Sequence, residues 1–205
     1  MRRLMPVVIV SLAASPARAA PGPGGKDARA ALKKAARFFV EEVAVEGGYL
    51  WRYSADLARR EGEGKAGPTT VWVQPPGTPT VGGALLRAHE LTGEKICMAG
   101  AVAAARALVR GQLRSGGWTY RIEFAKDRRR RYAYRVDPPP GRKARDVTTL
   151  DDNTTQSALL FLMRMDRALA FKDTEIHEAA RYALAAILKY QFGAGGWPQG
   201  IRDTV

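Results

Sequence analysis

The densest set of reactive side chains lies in Thr148-Thr149-Leu150-Asp151-Asp152-Asn153-Thr154-Thr155-Gln156. Two adjacent carboxylates stand there among amides and hydroxyls, where a Pro-rich loop meets a helical pattern. Acids in that position can do three things. They can cap the helix and complement its dipole. They can give oxygen ligands to a hard cation such as calcium. They can hold a cationic group or sugar hydroxyls in place. Spacing alone leaves the three open, because Asp and Thr are ordinary first-turn residues. An EF-hand is excluded, since the Asp-x-Asp-x-Asp-Gly ladder and its distal Glu are missing.

Other candidates are less pointed. Trp51, Trp72, Trp118 and Trp197 stand in aromatic turns, where they serve either as sugar-stacking faces or as plugs seating loops on helix ends. Plugs are expected for most, with a lining role for Trp197. The run Arg128 to Arg131, followed by Arg135, Arg142, Lys143 and Arg145, is either a solvated loop surface or a polyanion contact. His89 and His177 lie on separate helical stretches without metal spacing and read as surface or interhelix hydrogen bonders. No phosphate loop, Rossmann fingerprint or Ser-His-Asp order is present.

The elements that must position these groups come in repeats. A helix runs from about Asp27, its expected cap, to Val43 and ends at Gly47-Gly48. Tyr49–Tyr53 and Thr69–Val73 then read as two arms of a long hairpin, and Val81 to Leu91 opens the returning helix. The order recurs. A helix spans Glu94 to Arg114, Gly116-Gly117 ends it, and Trp118–Phe124 with Arg131–Val136 reads as a second hairpin. A third helical stretch runs from near Asp152 to about Phe171. Asp173 caps one more helix, and Gly195-Gly196-Trp197-Pro198-Gln199 opens a third copy of the turn. Helical pairs with one apolar face must stack on neighbours to bury it. The expected fold is all-α: an incomplete α/α toroid of helical-hairpin repeats with short β-hairpin-like aromatic excursions.

The N-terminus sets the compartment. Arg2 and Arg3 precede an apolar run from Leu4 to Ala14, and Ala17-Arg18-Ala19 offers small residues around a cleavage point. This is the order of a secretory leader over 1–19; the run is shorter than the roughly 20 residues a spanning helix needs, although a retained anchor is the other reading. A linker (20–26) and one repeat domain (27–205) follow, with the C-terminal end expected to cut that domain short. A secreted or periplasmic, monomeric protein is expected, with no membrane contact after cleavage. Cys97 is the sole cysteine, so neither a disulfide framework nor a thiolate metal site is available. The formal charge is +13; Arg2, Arg3 and Arg18 leave with the leader, so +10 remains. That surface favours polyanions. Export and the lack of a nucleic-acid motif argue against nucleic acid and for an acidic polysaccharide.

Leu150-Asp151-Asp152-Asn153-Thr154-Thr155-Gln156 with Phe161-Leu162, then Lys189-Tyr190-Gln191-Phe192 and Gly195-Gly196-Trp197-Pro198-Gln199, resembles polysaccharide lyase family 10, the pectate (pectic acid) lyases. Aligned through Phe161-Leu162, Asp151 takes the place of the family's aspartate and Thr155 that of its first paired threonine. Asp152 stands where the family has Asn, and Thr154 where it has Ala. The resemblance spans roughly Thr148 to Gln199. It implies an α/α toroid and calcium-assisted β-elimination on polygalacturonate, with an arginine as base. It implies Asp151 and Asp152 as calcium-site residues, and Asp151, Asp152, Thr155, Trp197 and Gln199 as substrate contacts. The family's base lies well downstream of the Gly-Gly-Trp-Pro-Gln turn, where this chain has only Ile201 to Val205, so no base is assigned and the 205-residue chain is expected to be inactive. The competing expectation is a non-catalytic toroid that binds acidic polysaccharide. A cyclase-like use of Asp151-Asp152 as catalytic acids or magnesium ligands is weaker, because two acids alone are a poor signature.

Overall fold

A computed structural model describes residues 24–202; the expected leader and its cleavage site lie outside the described residues. Helix α1 (Gly25–Phe38) continues into a π-helical turn (Phe39–Val43). Four longer helices follow: α2 (Thr78–Thr92), α3 (Lys95–Gly111), α5 (Thr154–Ala168) and α6 (Thr174–Lys189), with a one-turn helix α4 (Lys126–Arg129) between them. Asp27 does not cap α1; Gly24 holds that position and Asp27 sits in the first turn. Asp173 caps α6 as expected, accepting the Ile176 N–H at 3.2 Å.

The helices form two layers. Within one, α1 packs on α3 and α3 on α6; within the other, α2 packs on α5; and α2·α3 and α5·α6 tie the layers together. Alanine and glycine make this close stacking possible. Ala101, Ala104, Ala105 and Ala107 of α3 are fully buried. A Cβ at Gly82 of α2 would run into the Phe161 ring of α5. The core continues through Leu108, Trp118, Ile122, Tyr134, Leu162, Met165 and Ile176. This is the mostly-α, toroid-like arrangement that the repeats predict.

The two expected hairpins do not form as read. Strand β1 (Arg52–Tyr53) pairs with β2 (Arg60–Glu61) inside the first excursion. Strand β3 (Thr70–Trp72), however, pairs antiparallel with β4 (Arg121–Glu123) of the second excursion, Trp72 opposite Arg121. Strand β5 (Thr148–Thr149) likewise pairs with β6 (Gly200–Ile201) of the third turn, Thr149 opposite Gly200. Each strand that leads into a returning helix is therefore zipped to the turn of the next repeat. The physical reason is burial: Val71, Val73 and Ile122 are fully covered, and pairing between repeats puts these side chains over the helix ends.

The repeat is reproduced bond for bond. The Trp72 N–H donates to the Tyr49 carbonyl at 2.8 Å, as the Thr149 N–H does to that of Trp118 at 2.8 Å; the Val73 N–H donates to Tyr120 at 2.7 Å, as Leu150 does to Gln199 at 2.9 Å. The first two excursions thus return the chain to the helical stack where α2 and α5 begin.

Candidate functional site

Asp151 and Asp152 lie in a 3₁₀ turn (Asp151–Asn153) between β5 and α5. Asp152 (φ 49°) and Asn153 (φ 57°) both hold left-handed backbone. Asp and Asn tolerate that region best among residues with a side chain, but each still costs about 1 kcal/mol or more. Asn153 occupies the N-cap position of α5 and makes no side-chain cap bond, so capping does not explain the two acids.

Their partners come from three separate turns. The Asp151 carboxylate accepts Gln199 Nε2 at 2.7 Å, the Tyr120 hydroxyl at 3.4 Å and the Asp152 N–H at 3.0 Å. The Asp152 carboxylate accepts Gln74 Nε2 at 2.9 Å, and Gln74 Oε1 accepts the Trp72 indole N–H at 3.2 Å. Partial burial, reinforced by the negative charges of Asp151 and Asp152, pushes the Tyr120 hydroxyl above its usual range. It therefore stays protonated and remains a donor. Asp152 is exposed and Asp151 half-buried, so both keep solvent-facing oxygen.

Beside them is a cavity of about 420 Å³ lined by Leu150, Asp151, Gln156, Ile187, Trp197, Pro198 and Gln199. Trp197 and Trp118 are repeat equivalents. The indole N–H of each donates to the carbonyl ten residues earlier: Trp118 to Leu108 at 2.8 Å, and Trp197 to Ile187 at 2.9 Å. Yet Trp118 is 0 % exposed and Trp197 45 %. Trp118 is a plug, while Trp197 presents a ring face to the cavity. Thr155 is buried beneath the turn, its hydroxyl bonded to both the N–H and the carbonyl of Trp118 at 3.2 Å. Thr78 treats Tyr49 the same way in the preceding repeat. Thr155 therefore supports the site floor and does not line the cavity.

Gln74 and Tyr120 also belong to the site although the sequence pattern did not single them out, and Gln156, the last residue of the acidic segment, lines the cavity. Gln74 had a usable signal, because it stands four residues before Thr78, as Asp151 stands four before Thr155. The first turn thus carries an amide where the second carries an acid. The histidines are structural: His177 Nδ1 lies 2.8 Å from Asp166 Oδ2 across the α5–α6 pair, and His89 Nδ1 lies 3.0 Å from the Glu94 carbonyl. Cys97 is buried, and burial with the nearby Glu94 charge pushes its thiol up.

A larger cavity, about 720 Å³, lies against the α3–α6 layer and includes Glu46, Arg106, Arg110, Arg135, Glu175 and Glu178. Its arginines are already paired, Arg106 with Glu175, Arg110 with Glu46 and Arg135 with Glu178, which leaves little free charge for chemistry. The smaller cavity is lined by Asp151, whose carboxylate is hydrogen-bonded but forms no ion pair among the described residues.

Among the described residues, no group of three or more His, Cys, Asp or Glu is assembled for a metal. Asp151 and Asp152 are hard oxygen donors with free lone pairs. They suit a hard cation that takes its remaining ligands from water and from an anionic ligand.

The comparisons with known proteins fall on this region. Residues 112–203 match the family model described as pectic acid lyase. Over this segment the chain is similar to the pectic acid lyase family. The segment takes in both Gly-Gly-Trp turns, β4 to β6, the acidic turn and the α5–α6 pair, and it reaches upstream of Thr148, to Gln112. Two solved structures are similar over most of the chain. One is a family 10 polysaccharide lyase from Cellvibrio cellulosa, 19% identical, with a TM-score of 0.53 over 85% of this chain and 53% of that one. The other is an aspartate-to-alanine variant of a family 10 polysaccharide lyase from the same organism, in complex with trigalacturonic acid. It is 19% identical, with a TM-score of 0.50 over 84% of this chain and 55% of that one. The chain spans about half the length of these structures, and at this identity the likeness establishes the fold. No curated protein matches. Among the described residues, no helix is long and apolar enough to cross a membrane.

Proposed function

We propose that the segment similar to pectic acid lyases binds the uronate end of an acidic polysaccharide at Asp151 and Asp152. In the whole protein that binding serves β-elimination on polygalacturonate. The observation that carries this reading is the state of the two acids. They are released from helix capping, held by Gln74, Tyr120 and Gln199 from three turns, and left open beside the exposed ring of Trp197.

Calcium is the cation we assign to the carboxylate pair. When bound, it would draw charge from a uronate carboxylate and acidify the adjacent C–H. Asp151 and Asp152 would hold it, Gln199 and Gln74 would orient those carboxylates, and Trp197 would stack on a sugar face. No arginine lines the Asp151 cavity among the described residues, so no base is assigned. The 205-residue chain is accordingly proposed to bind without cleaving, outside the cytoplasm.

The test is a titration of this chain with trigalacturonate in calcium and in chelator, beside an ultraviolet assay for unsaturated product. Chelator-sensitive binding without product is expected. Product release would overturn the missing-base reading, and no galacturonate binding in calcium would overturn the site itself. Binding that ignores chelator would favour a non-catalytic polysaccharide-binding toroid.

A further inference from the structure

The second excursion closes round a cavity of about 620 Å³ that takes no part in the acidic turn. Phe124, Tyr132 and the run Pro138-Pro139-Pro140 line it with carbon. The Arg110 guanidinium lies 4.6 Å from the Phe124 ring centre, and Tyr132 stacks on Tyr134 with 5.4 Å between ring centres. Both lining rings are half-buried, so each keeps solvent-facing surface.

The loop that carries the prolines is pinned at both ends. Before it, the Asp137 carboxylate accepts Arg129 Nε at 2.7 Å and Nη2 at 2.9 Å, and the Asp137 N–H donates to the Tyr134 carbonyl at 3.2 Å. After it, the Arg145 N–H donates to the Arg131 carbonyl at 2.8 Å, and the Arg145 carbonyl accepts the Ala133 N–H at 3.0 Å. Proline fixes φ between those anchors. The cavity is therefore preformed, and a ligand need not order it.

The charge in the cavity has one sign. Asp137 is the one carboxylate among its described lining residues, and it is spent on Arg129. Lys126 and Arg130 also line it; both are exposed, and neither forms an ion pair among the described residues. Tyr132 adds the one neutral side chain there with a hydrogen-bonding group. A sugar acid seated on Phe124 and three prolines would bury hydroxyls without partners, a cost that an aromatic ring does not incur. We infer that this cavity binds an aromatic carboxylate. The ring lies against Phe124, Tyr132 and the prolines, and the acid group meets Lys126 and Arg130, whose donors suit it in charge and geometry. The volume falls in the range of roughly 300–1,000 Å³ usual for small-molecule sites. This ligand class differs from the uronate assigned to Asp151, and the inference does not rest on that assignment.

The experiment titrates this chain calorimetrically with para-hydroxycinnamate in chelator, which keeps the acidic turn free of divalent cation. Saturable binding is expected. The Lys126→Gln/Arg130→Gln double variant should bind about tenfold more weakly, as two exposed ion pairs allow. The uncharged methyl ester should bind the wild type about as weakly as the acid binds that variant. Arg164→Gln/Arg167→Gln removes the same charge from the exposed side of α5 and should leave the affinity unchanged, and trigalacturonate should not displace the ligand. Absence of saturable binding would overturn the inference, as would wild-type affinity in the Lys126/Arg130 variant or for the ester. An equal loss in the α5 variant would overturn it by assigning the effect to the general field. Displacement by trigalacturonate would overturn it by making the cavity a sugar-acid contact. The calcium titration at Asp151 succeeds or fails separately, because it uses a ligand without an aromatic ring.

Discussion

Replacing Asp151 with Asn should shift uronate affinity in opposite directions with and without calcium. The substitution keeps the shape and removes one negative charge next to Asp152. Without a divalent cation, a uronate carboxylate about 4 Å from Asp151 is repelled by about 1 kcal/mol in water-like surroundings. Half-burial keeps the value near that end of the range. Asp151→Asn should therefore tighten binding in chelator about fivefold. A divalent ion at the same spacing roughly doubles the Coulomb attraction that the carboxylate contributes. In calcium the loss then exceeds the relieved repulsion by about 1 kcal/mol, and affinity should fall about fivefold or more. Calorimetric titration with trigalacturonate under both conditions reads the two signs directly. Thermal unfolding should change little, within about 0.5 kcal/mol, because the side chain is not part of the core. Unchanged affinity in both buffers, or an equal loss in both, would refute the cation-bridge reasoning.

Other perturbations probe the frame. Trp118→Ala removes a fully buried ring with its Leu108 hydrogen bond and should cost about 3–5 kcal/mol in denaturant unfolding. Trp197→Ala, at the equivalent but exposed position, should cost far less and should reduce sugar binding instead. Thr155→Val leaves the Trp118 N–H and carbonyl without their shared partner and should cost about 1–3 kcal/mol, measured the same way. Burial raises the Tyr49 hydroxyl from 10.0 to about 12, with the Tyr53 charge adding to it, and burial pushes Tyr134 up as well. The folded state therefore holds those protons longer than the unfolded chain. Stability should be unaffected by these groups below pH 10 and should fall as pH rises from 10 towards 12, followed by tyrosinate absorbance and circular dichroism together.

The sequence carried the repeat, the helices and the acidic turn, because each is written locally. Apolar residues at helical spacing define a face, Gly-Gly ends it, and Asp151-Asp152 before α5 is a short-range pattern. Even the Asp173 cap is a matter of three residues. Strand pairing was a different matter. Val71 and Ile122 lie far apart in the chain, and their pairing is decided by which partner covers the helix ends; the local pattern favoured a hairpin within each excursion, and burial between repeats won. The role of Thr155 turned on the same kind of fact. Its type suits a ligand contact, but stacking places it under Trp118. Trp118 and Trp197 have the same local motif and the same indole bond, and only the surrounding helices make one a plug and the other an open ring. Tertiary structure also freed Asp151 and Asp152 from capping, by holding Asp152 and Asn153 in left-handed backbone and supplying Gln74, Tyr120 and Gln199 from three turns. Residue type named the chemistry; long-range packing decided which atoms face the cavity, because burial is a property of neighbours that adjacent sequence does not contain.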